Sequence, residues 1–97
     1  MRIIAESRLK RLAESHGDCT EQVAVWVRTV RAARWRNLAE VRMTYPHADA
    51  VNTFTVFNIK GNDYRLIAGI DYHGGRIYIK FLLTHGEYDK GRWKNIE

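Results

Sequence analysis

The stretch Val56-Phe57-Asn58-Ile59-Lys60-Gly61-Asn62-Asp63-Tyr64-Arg65-Leu66-Ile67-Ala68-Gly69-Ile70-Asp71-Tyr72, resumed after a glycine pair as Ile77-Tyr78-Ile79-Lys80-Phe81-Leu82-Leu83-Thr84-His85, decides the fold. From about Phe54 apolar and polar residues alternate with a period of two, the spacing of strands with one buried face. Gly61-Asn62 and Gly74-Gly75 interrupt the run where two-residue hairpin loops fit, because glycine supplies the positive φ such turns require. With both loops tight, Lys60 faces Asp63 and Asn58 faces Arg65 across the first hairpin, while Arg65 faces Thr84 and Gly69 faces Lys80 across the second. This register gathers Phe57, Ile59, Tyr64, Leu66, Ala68, Ile70, Ile77, Ile79, Phe81 and Leu83 on one face, which is the expected core side. The other face holds Asn58, Lys60, Asp63, Arg65, Asp71, Tyr78, Lys80 and Thr84, with Val56, Ile67 and Leu82 between them. A bulge in any strand shifts this sorting locally.

Upstream of the run the period is helical. Arg2 to Ile4 reads as a short strand, and Ser7 is placed to cap a helix that carries Leu9, Leu12 and Ala13 on one face and that Gly17 ends. Asp18 and Glu21 have capping-box spacing ahead of Val23, Trp26, Val27, Val30 and Ala33, which repeat at helical intervals. Asn37 and Glu40 mark a third start, with Leu38, Val41 and Met43 facing inward until Tyr45-Pro46 blocks further helix. Helices then strands, with no linker or repeat between them, make an α+β arrangement. Two to three N-terminal helices are expected on one face of a small, twisted, mainly antiparallel sheet. A chain of 97 residues, 45% apolar, suits one core and hence one domain over residues 1–97.

The net charge of +5 and a pI near 9.7 favour polyanionic partners, either nucleic acid or an acidic protein. Cys19 is the single cysteine, so no internal disulfide forms, and no Cys/His cluster has zinc spacing. A reducing compartment with no metal and no cofactor is the simplest expectation. Arg2, Glu6, Arg8, Lys10 and Arg11 are incompatible with a secretory apolar region, and no window reaches the apolar length of a membrane span. The expected location is the cytoplasm, without a membrane partner.

The polar face carries the chemistry. Lys60, Arg65 and Asn58 lie near one of its ends, where Thr84-His85 arrives as the last strand finishes. Cleavage of a phosphodiester by an internal 2′-hydroxyl needs a proton acceptor, cations for the phosphorane and a donor to the leaving 5′-oxygen. Arg65 offers a two-pronged donor for phosphate, Lys60 or Lys90 adds point charge, and an imidazole such as His85 exchanges protons near neutral pH. The scheme requires no metal. The plainer alternative pairs Lys60 and Arg65 with Asp63 and Asp71 on a solvated face and leaves His85 structural. Tyr88 and Lys90 follow at alternate positions and point the same way in an extended tail. Tyr88 there either stacks on a base and donates a proton, or anchors the tail against the sheet. Arg28, Arg31 and Arg34 form a stripe along the second helix with Arg36 just beyond, which either follows a phosphate backbone or is a solvated face. Trp26 and Trp35 read as core and core-edge residues, whereas Trp93 in the polar segment Gly91-Arg92-Trp93-Lys94 is freer to bind a partner. His16, His47 and His73 stand singly, and Cys19 has no neighbouring cation to activate it.

Met1-Arg2-Ile3-Ile4, the Trp26 helix, Trp35-Arg36-Asn37, Tyr45-Pro46, the run Val56 to Asn62, Tyr64-Arg65-Leu66-Ile67, Ile70-Asp71-Tyr72 and Thr84-His85-Gly86-Glu87-Tyr88-Asp89-Lys90 together resemble the HigB-type toxins, mRNA interferases of the RelE/ParE superfamily. The resemblance implies a RelE-like fold and the toxin of a type II toxin–antitoxin pair. Its activity would be a metal-independent endoribonuclease that cuts messenger RNA on the ribosome and so inhibits translation. It makes Lys60, Arg65, His85, Tyr88 and Lys90 the catalytic candidates. Asn58 and Lys80 become RNA contacts, with Arg28, Arg31, Arg34 and Arg36 as a docking surface for ribosomal RNA. The implied partner is a HigA-like helix-turn-helix antitoxin, through which alone the complex would meet operator DNA. Two alternatives stay open: a ParE-like toxin that binds gyrase without nuclease activity, and a noncatalytic RNA-binding module.

Overall fold

The computed structural model describes residues 1–95. Strand β1 (Arg2–Ile4) turns through Ala5, at φ 69°, into helix α1 (Glu6–His16), which Gly17 ends at φ 83° with its N–H on the carbonyl of Ala13. Helix α2 (Thr20–Ala32) and helix α3 (Leu38–Thr44) follow. The Asn37 side chain caps α3 by accepting from the N–H of Glu40 at 2.9 Å, as its spacing suggested. Strands β2 (Asp49–Val51), β3 (Phe54–Ile59), β4 (Tyr64–Asp71) and β5 (Arg76–Thr84) complete the sheet. The chain closes with helix α4 (His85–Asp89) and a 3₁₀ turn, Arg92–Asn95. The sheet order is β1-β5-β4-β3-β2, with β1 parallel to β5 and every other pair antiparallel. No helix among the described residues is long and apolar enough to cross a membrane.

The expected α+β architecture holds. Leu9, Ala13, Val23, Trp26, Val30 and Val41 from the three N-terminal helices pack on Phe57, Ile59, Leu66, Ala68, Ile77 and Ile79 of the sheet. Trp26 meets Phe57 edge-on at 5.4 Å between ring centroids, an arrangement aromatic quadrupoles favour. Several local expectations do not hold. Helix α1 begins at Glu6, ahead of Ser7, and has no side-chain cap. Met43 is 84% exposed, because two positions beyond the buried Val41 is about 200° around a helix.

The first hairpin keeps the expected register, Asn58 opposite Arg65, and the second does not. Its loop has four residues, not two: Asp71 pairs with Arg76, and the Asp71 carboxylate accepts from the N–H of Gly74 at 2.9 Å and from Arg76 at 3.1 Å. Gly69 consequently faces Tyr78, not Lys80. Farther along, Ile67 pairs with Phe81 while Ala68 pairs with Ile79, which leaves Lys80 as the extra residue of a bulge. One extra residue reverses the alternation beyond it. Leu82, 3% exposed, therefore enters the helix-side core, and Phe81 and Leu83, expected there, turn to the opposite face. Arg65 faces Leu83, not Thr84.

Asp18 does not cap α2, whose N-cap position is Cys19. Its carboxylate instead accepts from the Tyr64 hydroxyl and from Lys60 Nζ at 2.9 Å. Those two bonds, Tyr64 first, hold Asp18 below the usual carboxylate range, and the same carboxylate pushes the Tyr64 phenol up to about 12. The stability this cluster contributes is present in full between the two unfolded values. It is lost as pH falls through the depressed Asp18 value, and at the alkaline end as pH rises from about 10 toward about 12. Asp18→Asn should flatten both limbs of a plot of Tm against pH. Limbs as steep as the parent's would remove the cluster from the pH dependence.

Candidate active site

Arg65 is the centre of the constellation. It is the second residue of β4 and is only 8% exposed. Its Nη1 donates to the carbonyls of Asn62 at 3.0 Å and Tyr64 at 3.2 Å, which ties the guanidinium to the β3–β4 turn. Where β5 runs out, Thr84 caps α4 with a reciprocal box. Its hydroxyl accepts from the N–H of Glu87 at 3.2 Å, and the Glu87 carboxylate accepts from the N–H of Thr84 at 2.9 Å. The N–H of His85 donates to the carbonyl of Asp63 at 3.0 Å, so the helix starts directly beside the turn that Arg65 braces.

That start sets the imidazole. Arg65 Nη2 lies 3.1 Å from His85 Nδ1, and His85 Nε2 lies 3.0 Å from Asp89 Oδ2, one helical turn on. A guanidinium only donates, so Nδ1 is the acceptor and the ring proton sits on Nε2, donated to Asp89. To take a proton on Nδ1 the ring has to release Arg65. On the same helix Tyr88 sets its ring 5.5 Å from Arg65 Cζ and stacks on Trp93 at 5.2 Å between centroids. Burial and then the Asp49 carboxylate hold the Tyr88 phenol above its ordinary range, against a smaller pull downward from Arg65, so it stands as a neutral donor. Arg65 Nε–H and one Nη2–H have no protein acceptor among the described residues.

The other candidates lie outside this group. Asn58 is the cross-strand neighbour of Arg65, as expected, but lines a recess of about 230 Å3 with Tyr45, Trp26 and Lys60 at the β3 edge. Lys60 is held by Asp18, a partner the alternation did not suggest, and Asp71 holds Arg76, so neither lysine nor arginine makes the pairings of the plainer alternative. Lys80 is the exposed bulge residue, with Nζ 5.9 Å from the Tyr78 ring centroid. Lys90 follows α4 beside Phe81, Leu83 and Trp93. Helix α2 ends at Ala32, so Arg34 and Arg36 lie past it and the stripe is broken. Arg31 is bound by Glu6 at 2.5 Å and Arg36 by Glu40 at 2.9 Å, whereas Arg28 and Arg34 have no carboxylate partner among the described residues. All four lie in or beside the helix layer, across the sheet from Arg65.

The last segment departs most from expectation. It is helical, not extended, and Trp93 is 3% exposed, packed on Phe54 at 5.8 Å with its indole N–H on the carbonyl of Tyr88 at 3.1 Å. Asp89 and Trp93 were missed as neighbours of the site. Thr84 and Glu87, at capping-box spacing, were the available signal for α4; nothing local marks the docking of Trp93. Among the described residues no group of three or more His, Cys, Asp or Glu is placed to hold a metal ion.

Three N-terminal helices on one face of a five-stranded mixed sheet, with arginine and histidine gathered where the sheet ends, constitute an α+β fold of the RelE-like toxin type. Residues 19–91 match the profile of the HigB toxin family, the RelE-like toxic component of a toxin–antitoxin system, and the chain belongs to that family. Membership implies an antitoxin partner. Similar curated proteins include the mRNA interferase toxin HigB of Escherichia coli strain K12, 25% identical over 92 residues, spanning 92% of this chain and 88% of the relative. The mRNA interferase HigB of Escherichia coli O6:H1 is 26% identical over 93 residues, spanning 93% of this chain and 90% of the relative. That of Shigella flexneri is 25% identical over 92 residues, spanning 92% and 88%.

Proposed function

We propose that the protein is a metal-independent endoribonuclease that cuts messenger RNA engaged on the ribosome and thereby arrests translation. The observation that carries this reading is the convergence of Arg65, His85 and Tyr88 at one end of the sheet. The relatives named mRNA interferase support it. In the proposed reaction water takes the 2′-hydroxyl proton as the 2′-oxygen attacks the adjacent phosphorus, the P–O5′ bond breaks, and the proton Tyr88 gives up is replaced from solvent. The products are a 2′,3′-cyclic phosphate and a 5′-hydroxyl, with no change of oxidation state. Arg65 meets the charge of the phosphorane with its two unused N–H donors, and the Tyr88 phenol gives its proton to the leaving oxygen. His85 and Asp89 hold the guanidinium in place. Charge stabilisation therefore ranks ahead of base catalysis by His85, whose Nδ1 is occupied while Arg65 is bound. Lys90, beside the recess next to Arg65, and Lys80, farther along the same strand, extend the RNA contact from this centre, and Lys60 and Asn58 contribute from the β3–β4 turn and the β3 edge. Arg28 and Arg34 are cations without a carboxylate partner among the described residues that face ribosomal RNA.

The reading extends to the setting: one toxin domain spanning residues 1–97, in the cytoplasm, restrained by a HigA-like helix-turn-helix antitoxin that alone brings the complex to operator DNA. Mapping the 5′ ends of messages after brief induction tests the activity. New 5′-hydroxyl ends inside translated regions, absent when purified RNA is treated without ribosomes, are the expected result. Intact messages together with gyrase-dependent DNA breaks would give the site to gyrase binding, and intact messages that stay bound would make it a noncatalytic RNA-binding face.

A further inference from the structure

The bulge at Lys80 leaves two large apolar side chains on the face that sequence alternation makes polar. Phe81 and Leu83 are half-buried there, at the margin of the cluster formed by Phe54, Val56, Ile67 and Trp93. With Glu87, Lys90, Arg92 and Trp93 they line an open recess of about 270 Å3. Leu83 is the cross-strand partner of Arg65, so the recess adjoins the proposed scissile centre. Its floor is apolar and aromatic, and Lys90 and Arg92 are exposed beside it. The Glu87 carboxylate also belongs to the wall, turned onto the N–H of Thr84 at 2.9 Å.

An aromatic floor with cations at the rim matches both halves of a nucleotide: the base has a π face to lay on the ring, and the phosphate meets the cations. An acidic peptide would engage the cations and leave the ring without a specific partner. We infer that this recess holds the base of a nucleotide flanking the scissile phosphate of single-stranded RNA, stacked on Phe81 with its phosphate toward Lys90 and Arg92. The inference rests on the RNA-cleaving reading above and assigns it a substrate contact. The nucleotide is unpaired, since a base within a duplex is covered by its neighbours and has to leave the stack to enter a pocket.

Phe81→Leu keeps apolar packing and removes the ring, and Phe81→Tyr restores a ring. On ribosomes programmed with a short message, Phe81→Leu should raise KM about tenfold with kcat moving less, and Phe81→Tyr should return KM to within about threefold of the parent. A message with an abasic nucleotide at one neighbour of the cleavage site should raise the parent's KM by a similar factor. It should add little to Phe81→Leu, because both changes remove the same stack. An unchanged KM for Phe81→Leu, or abasic and Phe81→Leu losses that multiply independently, would overturn the inference. So would loss of antitoxin binding by Phe81→Leu with KM intact, which makes the recess a protein seat. If the parent leaves ribosome-bound messages uncut, the functional reading fails in the parent itself, and this inference falls with it.

Discussion

Replacing Arg65 with alanine should slow single-turnover cleavage of ribosome-bound message by about a hundredfold or more, the equivalent of about 3–4 kcal/mol for a charge-stabilising donor in a water-poor site. His85→Ala should cost less, because in this geometry the ring holds Arg65 and does not itself face the substrate with a free nitrogen. Arg65 also donates to the carbonyls of Asn62 and Tyr64, so its loss loosens the β3–β4 turn. Circular dichroism and antitoxin binding must therefore match the parent before rates are compared. Arg65→Lys should recover only part of the rate, since a single ammonium cannot serve the turn, the imidazole and a phosphate together. A loss for His85→Ala larger than that for Arg65→Ala would transfer the leading role to base catalysis. If Arg65→Ala, His85→Ala and Tyr88→Ala all stay within about threefold of the parent, under about 1 kcal/mol in barrier, the active site lies elsewhere.

Leu82→Asp should abolish the cooperative fold, whereas Phe81→Asp should leave it standing. Leu82 is 3% exposed in the helix-side core, and an unpaired carboxylate there costs at least several kcal/mol, about the whole stability of a small domain. Phe81 is half-buried on the opposite face, where a carboxylate can reach water and disturbs mainly the packing of the Trp93 segment. Thermal melts of the two variants read the bulge directly. Without it their positions exchange, and an unfolded Phe81→Asp beside a folded Leu82→Asp would restore the uninterrupted register.

Much of this was legible because it depends on near neighbours in the chain. Gly17 ends α1, Asn37 and Glu40 start α3, and Gly61 sets a hairpin that places Asn58 opposite Arg65. From such local signals alone, the α+β class and the arrival of His85 beside Arg65 followed. The remaining site residues turned on features alternation does not carry. Lys60 and Arg65 share a face on paper, yet Lys60 binds Asp18, 42 positions earlier, as the helix layer closes on the sheet.

Alternation, turn chemistry and capping spacing are properties of short windows, and from them the sequence by itself determined two to three N-terminal helices, a hairpin sheet and a basic end where His85 arrives beside Arg65. The tertiary structure alone decided which face Phe81, Leu82 and Leu83 occupy. A single extra residue at Lys80 reverses the side chains of β5 beyond it, so that one strand serves both cores, Leu82 on the helix side and Phe81 and Leu83 on the other. It likewise decided that Trp93 is buried and so holds Tyr88 near Arg65. Burying an indole requires an apolar seat, and that seat is assembled from Phe54, Val56 and Ile67, two strands that meet only in the folded sheet.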